Sequence, residues 1–494
     1  MTVGIILAGG RGSRLGPLAA QISKALISIG QRPHLAHQIE LLRGNGCEQI
    51  IVVTSPDTDS QIRQVIDRAD IEDVTTIVQE RPLGPSQAVL LGACAAAVHD
   101  TQSDLLVLMS DTFLPADTVF PDGDWYGIAP VPSERSFCYW DGESAYVDGV
   151  PPDGSSVTIG AYRFTSILHA TTAIVDAMMS HVGEAEVGMS SFLTTYAVKN
   201  TPEHVDFGDS WLDIGDVMAL ARARRKAFIA RDSHSLELTA MNTIVKRGKG
   251  DGFLMQHSWM SAMNQNKSTR HLVPRVYDVA EDSYSMEYID LPTLSELWLY
   301  WPGRSDTWQQ ILESIIAELD SSLWTSEKPW YTDDGSDIFV GKAIARLASL
   351  GLPNDHPLFA MLFDVKCFFN EMEYVRAHGD LNWNNILFSL NTGGFKLIDP
   401  RGNDSLPLAY ELTKLSYSWN GFAHITHNLA FDRATTRVRE RDALNEVLSD
   451  YMSSIGRTAA EGCLFLAGAP LHPPAQRERM IALGTEKLKE AIDG

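Results

Sequence analysis

Over residues 1–230, short apolar runs alternate with helical stretches, and this alternation restricts the fold more than any other feature of the chain. GIILAGG, QIIVVTS, VTTIVQE and DLLVLMSD read as strands, and SSVTIGAYRF as a further one. LAHQIELLRGNG, DSQIRQVIDRA and PSQAVLLGACAAAVH lie between the first four as helices, and DVMALARARRKAFIA closes the unit. Such alternation needs crossover connections, which cover both faces of a mostly parallel sheet. The expectation for 1–230 is therefore an α/β, Rossmann-like domain. Past residue 231 the texture changes. RDSHSLELTAMNTIVKRGKG reads as a strand pair, and SMEYIDLPTLSELW as a strand, a proline turn and a helix start. Beyond residue 305 the pattern is mainly helical. The expectation for 231–494 is an α+β domain with a small β lobe and a large helical lobe.

The chain has 494 residues, more than one hydrophobic core usually serves, which agrees with two units. No apolar run reaches ~18 residues, so a membrane span is not expected. MTVGIILAGG has no basic leader stretch and reads as a buried first strand. Cys47, Cys94, Cys138, Cys367 and Cys463 lie far apart, with no CxxC or Cys/His cluster, so neither zinc nor a disulfide framework is expected. Free thiols suit a reducing cytoplasm. The net charge of −23 argues against nucleic acid as the main partner, because a phosphate backbone wants a basic field. Small anionic ligands would instead need local Arg and Lys side chains, backbone N–H groups and bound Mg²⁺.

LAGGRGSRLG follows directly on the first apolar run. Gly9, Gly10 and Gly12 let the backbone turn sharply and bring amides close to a phosphate chain. Arg11 and Arg14 can oppose phosphate charge, Arg14 bidentately, and Lys24 can act as a point charge. A tight turn with solvated arginines is the alternative. Asp111 ends the run LVLMSD, at the strand edge where parallel sheets bind ligands. There it can hold Mg²⁺ against phosphates or cap the next turn. In QERPLGPSQAV, Gly84 permits close approach to a base or ribose, with Ser86 or Gln87 as hydrogen-bonding partners, or else marks a strand–helix turn. Asp213, in WLDIGD, falls on a tight turn before a helix.

LAGGRGSRLGPL…SKAL, QERPLGPSQA, SDTF, IGAYRF and WLDIGD, in that order, resemble the motifs of sugar nucleotidyltransferases over about residues 1–225. The resemblance implies transfer of a nucleotidyl group from an NTP to a phosphorylated acceptor, with release of pyrophosphate. It implies that Leu7, Ala8, Gly9, Gly10, Arg11, Gly12, Gln79, Gly84 and Ser86 line the nucleotide, and that Arg14 and Lys24 act on phosphates in catalysis. By the same resemblance Asp111 and Asp213 hold Mg²⁺, and Gly160 and Tyr162 lie near the acceptor. The family's proline before the lysine is Ser23 here, and its threonine after DIG is Asp216.

HGDLNWNNILF places His378, Asp380 and Asn385 in the order H-x-D, then Asn five residues on. Kinase catalytic loops use this order: the Asp orients and deprotonates the attacking hydroxyl, and the Asn holds Mg²⁺. Fourteen residues later, FKLIDPRG puts Asp399 at the end of an apolar strand, where a second metal-binding carboxylate belongs. The region 236–420 resembles aminoglycoside phosphotransferases and choline kinases, and SMEYIDLPTLSEL and LAYELTKLSYSWNG are similar to kinase-like domains of bacterial surface-polysaccharide loci. The resemblance implies a kinase-like fold, ATP, and a small alcohol as acceptor. Lys246 would touch ATP phosphates, Gln256 stands nearest to the usual helix Glu partner of that lysine, and Glu287 lies where a hinge is expected. Glu411 and Lys414 are expected to be structural. No glycine-rich loop precedes Lys246.

The two halves together imply a bifunctional cytoplasmic enzyme. The kinase-like domain phosphorylates a small alcohol, sugar or amino alcohol. The first domain couples that phosphate to an NTP, with CTP favoured, for surface-polysaccharide synthesis. Two other readings stand beside it: an active nucleotidyltransferase with a non-catalytic nucleotide-sensing or scaffolding module, and a nucleotide-regulated binding protein without turnover. Mg²⁺ is the expected cofactor, and homo-oligomerisation is left open.

Overall fold

The apolar run Thr2–Leu7 becomes the central strand β1, with five of its six residues buried. The computed structural model describes residues 1–494 except 11, 19–21, 30–31, 69–70, 72, 82, 99, 131–137, 147–154, 182–185, 228–233, 240–242, 281, 290, 302, 325–331, 354 and 403–404. Arg11 thus lies outside the described residues.

After β1 come α1 (His34–Gly44), β2 (Cys47–Thr54), α2 (Asp59–Arg68), β3 (Val74–Val78), α3 (Pro85–Ala97) and β4 (Asp104–Met109). The four strands are parallel, in the order β3-β2-β1-β4. Strands buried on both faces carry unbroken apolar runs rather than alternation, which is why these segments are so plain in the sequence. The chain then adds β5 (Thr112–Phe113), β6 (Trp125–Pro130), β7 (Ser156–Phe164), α4 (Ile167–Ser180), α5 (Met189–Asn200), β8 (Glu203–Asp206), β9 (Leu212–Asp213) and α6 (Val217–Ala227). β7 runs antiparallel to β4 and to β6, and β8 pairs with β6. The N-terminal region is thus a mixed α/β fold around a large sheet with a parallel centre. Its core joins Ile5, Val53, Ala93, Val107, Phe164 and Tyr196.

Strand order reverses beside β1. The chain moves outward through β2 and β3, then returns to the other side of β1 as β4. Two successive loops therefore leave the same sheet edge side by side, and open α/β sheets place ligands in the crevice this creates.

Backbone contacts divide the chain into Met1–Phe228 and Ile229–Gly494. The second unit opens with β10 (His234–Leu238), β11 (Thr243–Gly248), α7 (Asp251–Gln265), β12 (Val276–Val279) and β13 (Ser283–Glu287). These strands form an antiparallel sheet in the order β10-β11-β13-β12. Helices follow: α8 (Leu294–Tyr300) and α9 (Ser305–Ser322) come first. Thr293 and Glu296 close α8 with a reciprocal capping box. A short hairpin, β14 (Ile386–Phe388) and β15 (Phe395–Leu397), precedes α10 (Leu408–Tyr417), α11 (Ser454–Gly468) and α12 (Pro474–Asp493). Trp298, Trp308, Trp383 and Trp419 pack together with ring centroids 5.1 to 5.5 Å apart, which anchors the loop ahead of β14. Among the described residues no helix is long and apolar enough to cross a membrane.

Gly160 ties β7 to the crevice. Its φ is +78°, and an added Cβ would lie 2.6 Å from Thr112 Oγ1 and 3.0 Å from Met109 Cβ. We expect Gly160→Ala to destabilise the fold by about 1–3 kcal/mol through backbone strain and crowding. Gly44→Ala, in open space at the end of α1, should change it by no more than about 1 kcal/mol. Chemical denaturation of the two variants tests this, and equal stabilities would refute it.

Candidate active sites

The first site grows from the loop after β1. Ala8 N–H donates to Val53 O at 2.7 Å, and the Thr58 hydroxyl donates to Ala8 O at 3.2 Å, so the loop leaves the sheet in a fixed direction. Gly9 passes close to β2: an added Cβ would meet the Thr54 carbonyl carbon at 3.3 Å. Gly12 has φ +61°, and Leu15 N–H donates to its carbonyl at 2.8 Å. Leu7 and Ala8 are buried, so only their backbone can face a ligand, and Arg14 is exposed.

The loop after β4 rises next to it, with Ser110 N–H donating to Leu7 O at 3.3 Å. β5 and β9 pair Thr112 with Asp213, and Ile214 N–H donates to Asp111 O at 2.9 Å. Asp213 on β9 and Asp111, one residue ahead of β5, are thereby brought close although 102 residues apart in the chain. Lys24 joins them: its buried Nζ lies 2.9 Å from Asp111 Oδ2. Gln38 clamps the same loop by donating to Met109 O at 2.8 Å and Thr112 O at 3.2 Å. His34 is fully buried here, and its pKa is pushed down to about 3 by that burial first, then by the neighbouring His37 and Lys24 charges. A neutral imidazole therefore stands beside the ion pair. Gln38 and His34 escape a reading of the sequence because both lie inside an ordinary amphipathic helix pattern.

Gln79, Gly84 and Gln87 form one patch, with Gln79 Nε2 donating to Gly84 O at 3.1 Å and to Gln87 Oε1 at 2.9 Å. Gly84 has φ +93°, and an added Cβ would fall 2.6 Å from Val187 O. Close approach to the chain's own backbone thus already demands glycine there. The buried Ser86 hydroxyl donates to Gly188 O at 2.8 Å. Tyr162 is likewise buried, its hydroxyl donating to Thr158 Oγ1 at 3.2 Å and its pKa pushed up by burial. At Ser86 and Tyr162 the side chain is committed internally, so a ligand would meet these positions through the backbone.

The second site lies in Ile229–Gly494. Lys246, on β11, is buried, and its Nζ lies 2.6 Å from Gln256 Oε1 on α7 and 2.5 Å from Asp399 Oδ1. Gln256 Nε2 also donates to Asp399 Oδ1, at 3.0 Å. The amide thus bridges lysine and carboxylate. Asp399 adopts φ +55°, uncommon for a residue with a side chain. Ile398 N–H donates to Asn385 O at 3.0 Å, which sets Asp399 beside the HGD loop. Asn385 Nδ2 donates to Asp380 O at 2.8 Å.

Glu411 holds the loop from below. Its buried carboxylate accepts from His378 N at 2.8 Å and Gly379 N at 2.9 Å, and burial pushes its pKa up to about 7. That agrees with a structural role. Lys414 differs from the structural expectation: its Nζ lies 2.9 Å from Asp380 Oδ1. Residues three apart on a helix share a face, so the helix that aims Glu411 at the loop aims Lys414 there too. Burial alone would raise the Asp380 pKa, but the charges of Lys414 and Arg401 outweigh it and hold the carboxyl well below the usual range. His378 is driven to about 4 by burial and stays neutral, in contact with Ile398 O at 3.0 Å.

Among the described residues no group of three or more His, Cys, Asp or Glu is assembled for a metal. Asp111 with Asp213, and Asn385 with Asp399, are sparse oxygen sets. Sparse sets suit Mg²⁺, which keeps waters and takes substrate phosphates as its remaining ligands.

Residues 4–120 match the MobA-like NTP transferase domain family. A glucose-1-phosphate thymidylyltransferase of Streptomyces antibioticus is 24% identical over 253 residues, covering 45% of this chain and 65% of that protein. A mannose-1-phosphate guanyltransferase of Pichia angusta is 36% identical over 110 residues, covering 22% and 30%. A glucose-1-phosphate thymidylyltransferase of Neisseria meningitidis is 33% identical over 91 residues, covering 18% and 32%. The chain thus spans between about a third and two thirds of the length of these relatives. Residues 4–120 thus match an NTP transferase domain of the MobA-like kind, and sugar-phosphate nucleotidyltransferases are among the chain's relatives.

Glu411 and His378 set opposing pH trends. Glu411, raised from 4.5 to about 7, contributes stability that is lost as pH rises through about 7. His378, lowered from 6.5 to about 4, contributes stability that is lost as pH falls through about 4. Glu411→Gln should cost about 1–3 kcal/mol, because its amide can accept from only one of the two N–H groups. Stability should then rise more steeply with pH between 4.5 and 6.5 than in the parent. Urea midpoints at several pH values measure this, and an unchanged slope would count against it.

Proposed function

We propose that the chain is a bifunctional enzyme whose N-terminal domain transfers a nucleotidyl group from an NTP to a sugar phosphate, and whose C-terminal domain phosphorylates a small alcohol with ATP. The observation that carries the first activity is the meeting of Lys24, Asp111 and Asp213 beside the glycine loop at the strand-order reversal. In this reading the amides of residues 9–12 receive the NTP phosphates. Lys24 passes from Asp111 to phosphate oxygens as the nucleotide arrives, and Arg14 reaches in from solvent. The acceptor phosphate attacks the α-phosphorus in line and pyrophosphate leaves. A phosphate dianion needs no general base, so positioning and charge neutralisation suffice. Bound Mg²⁺, held by Asp111 and Asp213 here and by Asn385 and Asp399 in the other site, would supply further neutralisation of phosphate charge.

The kinase reading rests on Asp380, Asn385, Asp399 and Lys246 standing in one constellation. Asp380, kept ionised by Lys414, orients the acceptor hydroxyl, and Lys246 steadies ATP phosphates. The product of this half-reaction is a phosphate ester of the class the other half consumes, for an NDP-activated building block in surface-polysaccharide synthesis. The names of the relatives divide between thymidylyl and guanylyl transfer, and CTP is the base proposed for this fused pair. One observation favours a second reading, a nucleotide-sensing module: Gln256 in place of a carboxylate partner for Lys246.

We expect Asp111→Asn to lower pyrophosphate release at least 100-fold while ADP formation stays within twofold. Asp380→Asn should do the reverse. Pyrophosphate and ADP assays on the folded full-length variants, across the common NTPs, sugar phosphates and small alcohols, decide it. Loss of both activities in either variant sinks the idea of independent sites. ATP binding without ADP formation by the parent, with any alcohol, establishes the sensing reading instead.

A further inference from the structure

The chain's net charge is −23, yet cations gather around Asp380. Lys414 lies 2.9 Å from its carboxylate. Lys342 Nζ lies 2.9 Å from the Tyr410 hydroxyl and 5.0 Å from that ring's centroid, and Lys414 Nζ lies 5.8 Å from the same centroid on its other approach. Arg401 is fastened through its backbone N–H to His378 O at 2.9 Å, so its side chain starts at the HGD loop. Arg346 donates to Ala467 O at 2.8 Å and, with Arg401, falls within the electrostatic reach of Asp380. Lys342, Arg346 and Arg401 are half-buried, open enough to meet a ligand.

The acidic groups that reach Arg401 are Asp380 and Asp399. Asp399 already has Lys246, and Asp380 has Lys414. Lys342, Arg346 and Arg401 then remain without a carboxylate in salt-bridge range among the described residues. Gathering like charges in a half-buried place is unfavourable unless an anion completes it. Lys414 and Arg401 together keep Asp380 ionised, and that task does not explain Lys342 and Arg346. ATP phosphates do not explain Lys342 and Arg346 either. The phosphate side is marked by Lys246, Gln256 and Asp399, while Lys342 and Arg346 come from a helical stretch that contributes nothing to that triad.

We propose that the alcohol phosphorylated at Asp380 already carries an anionic group, a carboxylate or a phosphate, and that Lys342, Arg346 and Arg401 hold that group. This rests on the kinase reading. The hydroxyl oxygen forms the new bond to the γ-phosphorus, the bond from that phosphorus to the β,γ-bridging oxygen breaks, ADP leaves, and the hydroxyl proton passes to Asp380. An ammonium alcohol of the choline type is disfavoured by the same charges.

The test uses one carbon scaffold in three charge states, with full-length protein, ATP and Mg²⁺: glycerol, D-glycerate or sn-glycerol 3-phosphate, and serinol, with choline as a second cation. ADP formation and thermal-shift binding are read in parallel. We expect kcat/KM for an anionic member at least tenfold above glycerol, and no turnover of serinol or choline. The two anionic members separate carboxylate from phosphate recognition. Arg401→Gln and Lys342→Met should each raise the anionic acceptor's KM at least tenfold and leave the KM for ATP within twofold, with melting temperature reporting folding. Preference for glycerol, serinol or choline overturns the anion site and leaves the kinase standing. A raised KM for ATP with an unchanged acceptor KM assigns the cations to the nucleotide and also overturns it. Binding of glycerate or glycerol phosphate that Arg401→Gln abolishes, without ADP formation, upholds the anion site and removes the kinase reading. Absence of both binding and turnover overturns both.

Discussion

The seam between β1 and β4 is what the N-terminal unit depends on. The two strands pair in register from Thr2 and Asp104 to Leu7 and Met109. That pairing makes their following loops neighbours, and Lys24, Asp111 and the glycine turn of the first site are placed by those loops. Glycines give the first loop its turn, while the second is held by Gln38 from α1 and by the β5–β9 ladder. A slip of one residue along this seam would turn every side chain of β4 to the other face and move Asp111 away from Lys24.

The second unit relies on a different device. Its loop around Asp380 has little regular structure, so its amides need partners other than a ladder. Glu411 supplies two, and the tryptophan cluster fixes the far end of the loop. The loop around Asp380 is thus held by a buried carboxylate and aromatic packing rather than by secondary structure.

Much of the N-terminal fold was legible because its central strands are buried on both faces and read as unbroken apolar runs. β5 and β9 were not legible, since two-residue strands carry no periodicity. Asp111 and Asp213 could each be singled out, but only the ladder shows that they meet. Gly84 illustrates an ambiguity that composition cannot resolve: the glycine is needed by Val187, whatever else approaches it. Ser86 and Tyr162 look polar and available in the sequence, yet packing turns both inward. Arg401 and Lys414 stand inside FKLIDPRG and LAYELTKLSYSWNG, but nothing local in the sequence brings them to Lys342. They converge by tertiary packing across 72 residues of chain, and only Lys414 left a trace, in its three-residue spacing from Glu411.

Three lysines share one habit. Lys24 rests on Asp111, Lys246 on Asp399 and Lys414 on Asp380. Asp111, Asp399 and Asp380 thus each keep an internal counterion. Under the proposed function, arrival of a nucleotide would be an exchange of partners, not an addition of charge to an empty cleft. On that reading the lysine follows the phosphate, and the carboxylate is freed at the moment it is wanted.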